Sequence, residues 1–337
     1  MTLRIAINGF GRIGRMVMRA FAEQAPKDME IVAINDLTPL DVSAHLFEYD
    51  SVHGHYKNPV SHGDDWMDVG FGKMQYLQVS DPTKLPWKDL NIDIVFECSG
   101  RFTDRPDAAK HLDAGAKRVL VSAPSKDADI TVVYGVNHQK ISADHVVISN
   151  ASCTTNCLAP VAAVLQDTIG ILRGYMSTIH AYTGDQKLVD TGHSDVRRAR
   201  AGAMSMIPTS TGAAKAMGLV LPELKGKLDG SSIRVPTPNV SLIDFKFDAA
   251  KATTIDAINA AMKTAAEASL KGVLGYNTKP LVSIDFNHNP ASSTFDATQT
   301  QVIEGTFVRV LSWYDNEWGF SNRMVDVARV IGKTLAP

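Results

Sequence analysis

The chain predicts an α/β domain built on a parallel sheet, followed by an α+β domain. Three observations carry this expectation. Its 337 residues suffice for two domains of ordinary size. Up to about residue 150, short runs rich in Val and Ile alternate with helical stretches, and beyond it longer strand-like runs take over. At 45% hydrophobic and 21% charged residues, the composition is that of a globular chain with real cores.

In order along the chain, Leu3–Asn8, Glu30–Asn35, Ile92–Cys98, Arg118–Ser122 and Val146–Ser149 read as buried strands. Helical patterns lie between several of them, at Arg12–Gln24 and Asp107–Ala114. Strand, helix, strand in repetition requires a parallel sheet covered on both faces. A helix then opens near Ser152, and strand-like runs follow at Leu172–Ala181, Ser231–Phe247 and Gly305–Tyr314. Between Thr254 and Leu270, Ile255, Ile258, Met262, Ala265 and Leu270 recur at helical spacing. Asp190–Ile207 has no clean period and reads as a long loop, of the kind that binds something or packs on a partner. The expected domains are 1–150 and 151–318, with a last helix over about 319–337 returning to the first.

Opposing charges nearly cancel: 34 basic against 36 acidic residues leave −2. That balance argues against nucleic acid or an acidic membrane as the main partner. Three cysteines, Cys98, Cys153 and Cys157, are too few and too irregular for a disulfide framework, and they point to a reducing compartment. The apolar run at the amino terminus is broken by Asn8 and is too short for a secretory core, and no run is long enough to span a bilayer. The cytoplasm is the expected location.

Residues Ile5–Arg15 read IAINGFGRIGR, a G-x-G-x-x-G at Gly9, Gly11 and Gly14 that follows a strand and opens a helix. Gly9 permits the turn, Gly11 lets a pyrophosphate approach the backbone, and Gly14 lets helix and strand pack closely. The helix start presents N–H groups to the anion. Asp36, at the end of the next strand, suits a carboxylate that accepts from a ribose hydroxyl and repels a 2′-phosphate. This is a Rossmann-type fingerprint, and it favours NAD over NADP.

Ser149–Pro160 read SNASCTTNCLAP, so Asn150 and Ser152 can cap a helix whose first turn holds Cys153. The positive end of the helix dipole is expected to lower that thiol's pKa. Cys157, one turn deeper, reads as an ordinary buried thiol, and Pro160 is expected to bend the helix. Among ten histidines, His180 stands out because it ends a strand-like run and opens a segment dense in Thr, Asp and Gln. A C-x₃-C spacing without a second ligand pair gives no reason to expect a metal.

Taken together, INGFGRIGR, SCTTNCLAP, IHAYTGDQ, PTSTGAAKA, LPELKGKL, RVPTPNVS and WYDNEWGFSNR resemble phosphorylating glyceraldehyde-3-phosphate dehydrogenase of bacterial type, in order from residue 5 to 323. The resemblance implies Cys153 as nucleophile and His180 as its base. It implies a thiohemiacetal, hydride transfer to NAD and a thioester cleaved by inorganic phosphate, in glycolysis or its reverse. It assigns Arg12, Ile13, Asp36, Ser122 and Asn316 to the cofactor. Thr183, Asp185, Arg198 and Arg234 match positions for the phosphate of glyceraldehyde 3-phosphate, Asp185 by orienting an arginine. Ser152, Thr154, Thr211 and Gly212 match those for the attacking phosphate. A homotetramer is implied, with the long loop crossing between subunits.

Three positions depart from that pattern. Thr191 and Gly192 stand where many bacterial NAD enzymes carry Leu-Pro, so some NADP use is expected beside NAD. Ser80 replaces an Arg that often lines the adenine, and Phe320 replaces a common Tyr. The nearest alternative, erythrose-4-phosphate dehydrogenase, hydrolyses its thioester, and Asn35-Asp36 with Thr183 favour the triose phosphate. A purely RNA- or partner-binding role lacks the interleaved basic and aromatic residues it needs.

Overall fold

The computed structural model describes residues 2–335. The chain forms two compact units, one made of residues up to 132, 138–151 and from 321 on, the other of 133–137 and 152–320. The two fold classes expected from the sequence are found, one in each unit.

The first unit holds a nine-stranded sheet. From one edge the strands are Ile130–Thr131, Val147–Ser149, Arg118–Val121, Ile94–Glu97, Leu3–Asn8, Met29–Asn35 and Met74–Leu77, all parallel. Trp66–Asp68 and Ser61–His62 close the other edge antiparallel. Leu3–Asn8 is the strand from which the chain first winds one way and then the other, and its carboxyl end is where such sheets open a crevice. One face buries Ala6, Ala33, Ile92 and Val95 around Trp87. Helix Arg12–Gln24 buries Met16, Val17, Ala20 and Phe21. The last helix, Trp318–Leu335, returns to this unit from Ser321 on, where Gln24 Nε2 donates to Asn322 Oδ1 at 2.9 Å. The expected helix at Asp107–Ala114 is instead two short turns, Arg105–Ala108 and Lys110–Asp113. At their junction the Leu112 N–H reaches only three residues back, to the Ala109 carbonyl, which tightens the chain out of α geometry.

In the second unit an eight-stranded sheet has Ile171–Ala181 near its middle. Leu228–Val235 runs parallel on one side of it and Ser241–Ala249 antiparallel on the other. The single run expected over Ser231–Phe247 is therefore two strands. Pro236 and Pro238 supply no N–H for a ladder, and Val240 turns the chain in the left-handed region at φ 67°. Helix Cys153–Thr168 runs through Pro160 and packs its Cys157 against Ser293, sulfur to hydroxyl at 3.3 Å. Helix Ile255–Glu267 is capped by Thr254, whose Oγ1 accepts from the Ala257 N–H. Asp190–Met206 has neither helix nor strand and leaves Val196, Met204 and Met206 at least three-quarters exposed. Among the described residues, no helix is long and apolar enough to cross a membrane.

Candidate active site

Within the first unit, a cleft of about 270 Å³ opens at the carboxyl ends of Leu3–Asn8, Met29–Asn35 and Ile94–Glu97. Gly9, Gly11 and Asp36 line it. Each glycine is needed for a different reason. Gly9 sits at φ 92°, and a Cβ there would come within 2.4 Å of the Ser99 backbone. A Cβ on Gly14 would lie 2.0 Å from the Gly9 carbonyl oxygen. Gly11 faces open space, with nothing within 4 Å of such an atom, and it is the N-cap of helix Arg12–Gln24. A cradle that a Cβ would narrow, at a helix start, fits a pyrophosphate.

Asp36 accepts from the Phe10 N–H at 2.5 Å through Oδ2 and from the Thr38 N–H at 2.8 Å through Oδ1. Each oxygen keeps a second acceptor position for a ribose hydroxyl. Ile13 lies in the first turn of the helix. Arg12 turns to an ion pair with Asp50. Burial raises the Asp50 carboxyl, but the His53 N–H, Arg12 and the Val52 N–H outweigh it and hold it down to about 2. Ser122 follows strand Arg118–Val121, and its N–H donates to the Glu97 carbonyl at 2.9 Å. Ser80 lines the same cleft.

In the second unit, Cys153 begins its helix, with Ser152 as N-cap accepting from the Thr155 N–H at 3.1 Å. His180 lies near the end of strand Ile171–Ala181, beside Arg234 in the parallel partner strand. Cys153 Sγ and His180 Nε2 are 3.5 Å apart. His180 Nδ1 is 2.6 Å from the Ala181 carbonyl, which can only accept, so the ring proton sits on Nδ1 and a lone pair faces the sulfur. Burial first, then Arg234, drives the imidazole down to about 3, against the pull of the Ala181 carbonyl. The thiol does not show the net lowering expected from the helix start. Burial raises it, and Arg234, Thr154 and the N–H groups of the first turn pull back without overcoming that. Desolvation of the ionised sulfur is the larger effect here.

Arg234 Nη1 donates to Thr183 Oγ1 at 3.0 Å and to the Ala181 carbonyl at 3.3 Å. Its pKa is lowered by burial and then by Arg198, so two guanidinium groups converge. Arg198 bonds Asp185 at 2.9 Å and Thr209 at 3.1 Å. Among the described residues Arg234 makes no direct ion pair, since Asp185 bonds Arg198 instead, and a largely enclosed cation without a bonded carboxylate is a place for an anion. Thr211 Oγ1 accepts from the Ala213 N–H at 3.2 Å, and Gly212 caps helix Ala213–Val220 with open space beside it. Thr154 is buried, and its hydroxyl is 2.8 Å from the Tyr314 hydroxyl. Asn316 Oδ1 accepts from Ser241 at 2.8 Å, and Ser241 in turn accepts from the Ala181 N–H at 3.0 Å.

Two side chains here escape a reading of the sequence. Tyr314 bridges Thr154 and Thr178, each at 2.8 Å, and sets its ring edge-on to His180 at 5.9 Å. Ser241 sits in an alternating strand. An aromatic and a serine in strand patterns carry no signal that separates them from ordinary packing.

Two family models match the chain. Residues 3–105 match "Glyceraldehyde 3-phosphate dehydrogenase, NAD binding domain", and residues 152–316 match "Glyceraldehyde 3-phosphate dehydrogenase, C-terminal domain". The chain is 64% identical to glyceraldehyde-3-phosphate dehydrogenase of Xanthobacter flavus, over 99% of both chains. It is 61% identical to that of Cereibacter sphaeroides, over 99% of this chain and all of the other. The enzyme of Pseudomonas aeruginosa is 56% identical over 97% of this chain and 98% of its own. Similarity of this extent over the whole length of the chain shows its family: the chain belongs to the glyceraldehyde-3-phosphate dehydrogenase family.

Proposed function

We propose that the protein oxidises glyceraldehyde 3-phosphate with NAD and inorganic phosphate to 1,3-bisphosphoglycerate, through a covalent intermediate on Cys153. The observation that carries this reading is the Cys153–His180 pair at 3.5 Å beside a guanidinium, Arg234, that makes no direct ion pair. The thiol proton passes to His180 Nε2 as sulfur attacks the aldehyde carbon. The Cys153 N–H, in the first turn of the helix, faces the oxygen of the thiohemiacetal. His180 Nε2 returns the thiol proton to this oxygen to give the thiohemiacetal hydroxyl. NAD, when bound, would accept the hydride, and His180, neutral again, takes the hydroxyl proton as the thioester forms. A phosphate oxygen then attacks the thioester carbon, the C–S bond breaks, and the thiolate returns.

Arg234, Arg198 and Thr183 hold the phosphate of the triose, with Asp185 orienting Arg198. Ser152, Thr211 and the start of helix Ala213–Val220 at Gly212 hold the attacking phosphate. Thr154 contributes its backbone, since its hydroxyl is engaged by Tyr314. In the first unit, Gly9, Gly11, Ile13, Gly14 and Asp36 hold NAD.

NAD reduction measured with glyceraldehyde 3-phosphate, with and without inorganic phosphate, tests the proposal. Steady turnover that is indifferent to phosphate would mean hydrolysis, as in erythrose-4-phosphate dehydrogenase; the relatives' shared name speaks against that alternative. The exposed Leu188, Val196, Met204 and Met206 around the long loop support assembly into a homotetramer, checked by light scattering. Three free thiols suit the reducing cytoplasm.

A further inference from the structure

Beneath the dinucleotide cleft lies a buried polar chain that no step above uses. Glu97 and His111 have fully buried side chains, and Trp87 beside them is equally inaccessible. The Trp87 indole Nε1 donates to His111 Nδ1 at 3.0 Å. An indole nitrogen can only donate, so Nδ1 must accept and the ring proton must sit on Nε2. That nitrogen is 2.9 Å from Glu97 Oε2. The same oxygen accepts from Asn8 Nδ2 at 2.6 Å, while Oε1 accepts from the Ser99 N–H at 2.8 Å and from the Ser99 hydroxyl. Four donors therefore converge on one carboxyl group, which serves purely as an acceptor.

The direction of donation propagates outward. Because Asn8 gives its NH₂ to Glu97, its Oδ1 faces away and accepts from Asn35 Nδ2 at 2.7 Å. Asn35 then closes on Val79, accepting from its N–H and donating to its carbonyl, each at 2.9 Å. Asn8, Asn35, Val79 and Ser99 all line the cleft. Ser99 is also the residue against which Gly9 turns. One carboxyl group thus sets the amide orientations of the cleft floor and the position of the wall behind the glycine turn.

We infer that His111, held in one tautomer by Trp87, is a positioning residue for NAD binding: it donates to Glu97 and so fixes the floor of the dinucleotide cleft. A filler role in the core would need only the ring's volume, whereas this role needs one N–H at the Nε2 position. The inference rests on NAD occupying this cleft. Asp36→Ala, titrated with NAD in parallel, tests that reading on its own.

Two substitutions separate the two nitrogens. His111→Gln places an amide NH₂ near the Nε2 position and retains donation to Glu97. His111→Asn places an amide near Nδ1, retains a partner for Trp87 and leaves Glu97 short of a donor. Dissociation constants for NAD are measured by titration of the full-length protein, with melting temperatures recorded alongside. The expected result is about a tenfold weaker Kd for His111→Asn, the worth of one hydrogen bond to a charged group, and a Kd within about twofold of wild type for His111→Gln. Equal affinities for both variants and wild type overturn the inference, as does equal weakening of both. If His111→Asn does not fold, Trp87→Phe takes its place, since it keeps a ring and frees the tautomer. Weaker NAD binding then supports the inference, and an unchanged Kd overturns it. If Asp36→Ala leaves the Kd unchanged, the placement of NAD fails first.

Discussion

His180→Asn is the perturbation that most directly probes the role proposed for Cys153. In the structure burial raises the Cys153 thiol and pushes the His180 imidazole down, so each charge taken singly is disfavoured. Moving one proton across the gap makes two opposite charges that favour each other. At 3.5 Å and an effective dielectric constant of about 20, their attraction is about 332/(20 × 3.5), or about 4.7 kcal/mol. At about 1.36 kcal/mol per pH unit the attraction is worth about 3.5 units, set against the gap between a raised thiol and an imidazole near 3. The sign follows: the attraction raises the share of thiolate held as an ion pair above what the same thiol would have without His180. The assay is the pH dependence of irreversible alkylation by iodoacetamide, without NAD or substrate. The wild-type rate is expected to rise at lower pH than that of the variant. In His180→Asn the rise should move up by about two to three pH units, and the rate at pH 7 should fall about 100-fold or more. Superimposable profiles would refute the argument and leave the helix start and Arg234 as the agents of thiolate formation.

Other expectations follow from single contacts. Arg234→Leu should raise KM for glyceraldehyde 3-phosphate about 10- to 100-fold, because charged hydrogen bonds to the triose phosphate are lost; Arg234→Lys should recover only part of this, and an unaltered KM would remove Arg234 from the substrate site. Asp36→Ala should lower kcat/KM for NAD about tenfold and improve NADP relative to NAD, read from steady-state kinetics with both cofactors. Tyr314→Phe leaves the Thr154 and Thr178 hydroxyls without their shared partner and should cost about 1–3 kcal/mol, read by denaturant unfolding. Gly14→Ala drives a Cβ against the Gly9 carbonyl at 2.0 Å and should cost about 3 kcal/mol together with NAD affinity; full stability would mean that the helix can retreat.

Local pattern accounts for much of the first unit. Its strands are buried on both faces, so they appear as continuous apolar runs, and the glycine turn needs its residue types at fixed spacing. The second unit is less legible. Ser231–Phe247 reads as one strand because β-rich composition persists across it, although Pro236 and Pro238 supply the local reason for its division. The division sends the two halves to opposite sides of Ile171–Ala181, which brings Arg234 beside His180. The thiol shows the converse. A helix start lowers its pKa and is visible in the sequence, whereas burial raises it and becomes visible only once the chain has folded around it.

Residue type and spacing along the chain suffice for the fold class and the family, and for reading a dinucleotide fingerprint at Gly9, Gly11, Gly14 and Asp36. Folding added the tautomer that His180 presents to Cys153, which arginine of the site makes no ion pair, and the meeting of Glu97, His111 and Trp87 beneath the cleft. Those facts join residues up to 81 positions apart, from Cys153 to Arg234, and each depends on desolvation and donor direction. Both come from the space around a side chain, which a linear pattern does not specify.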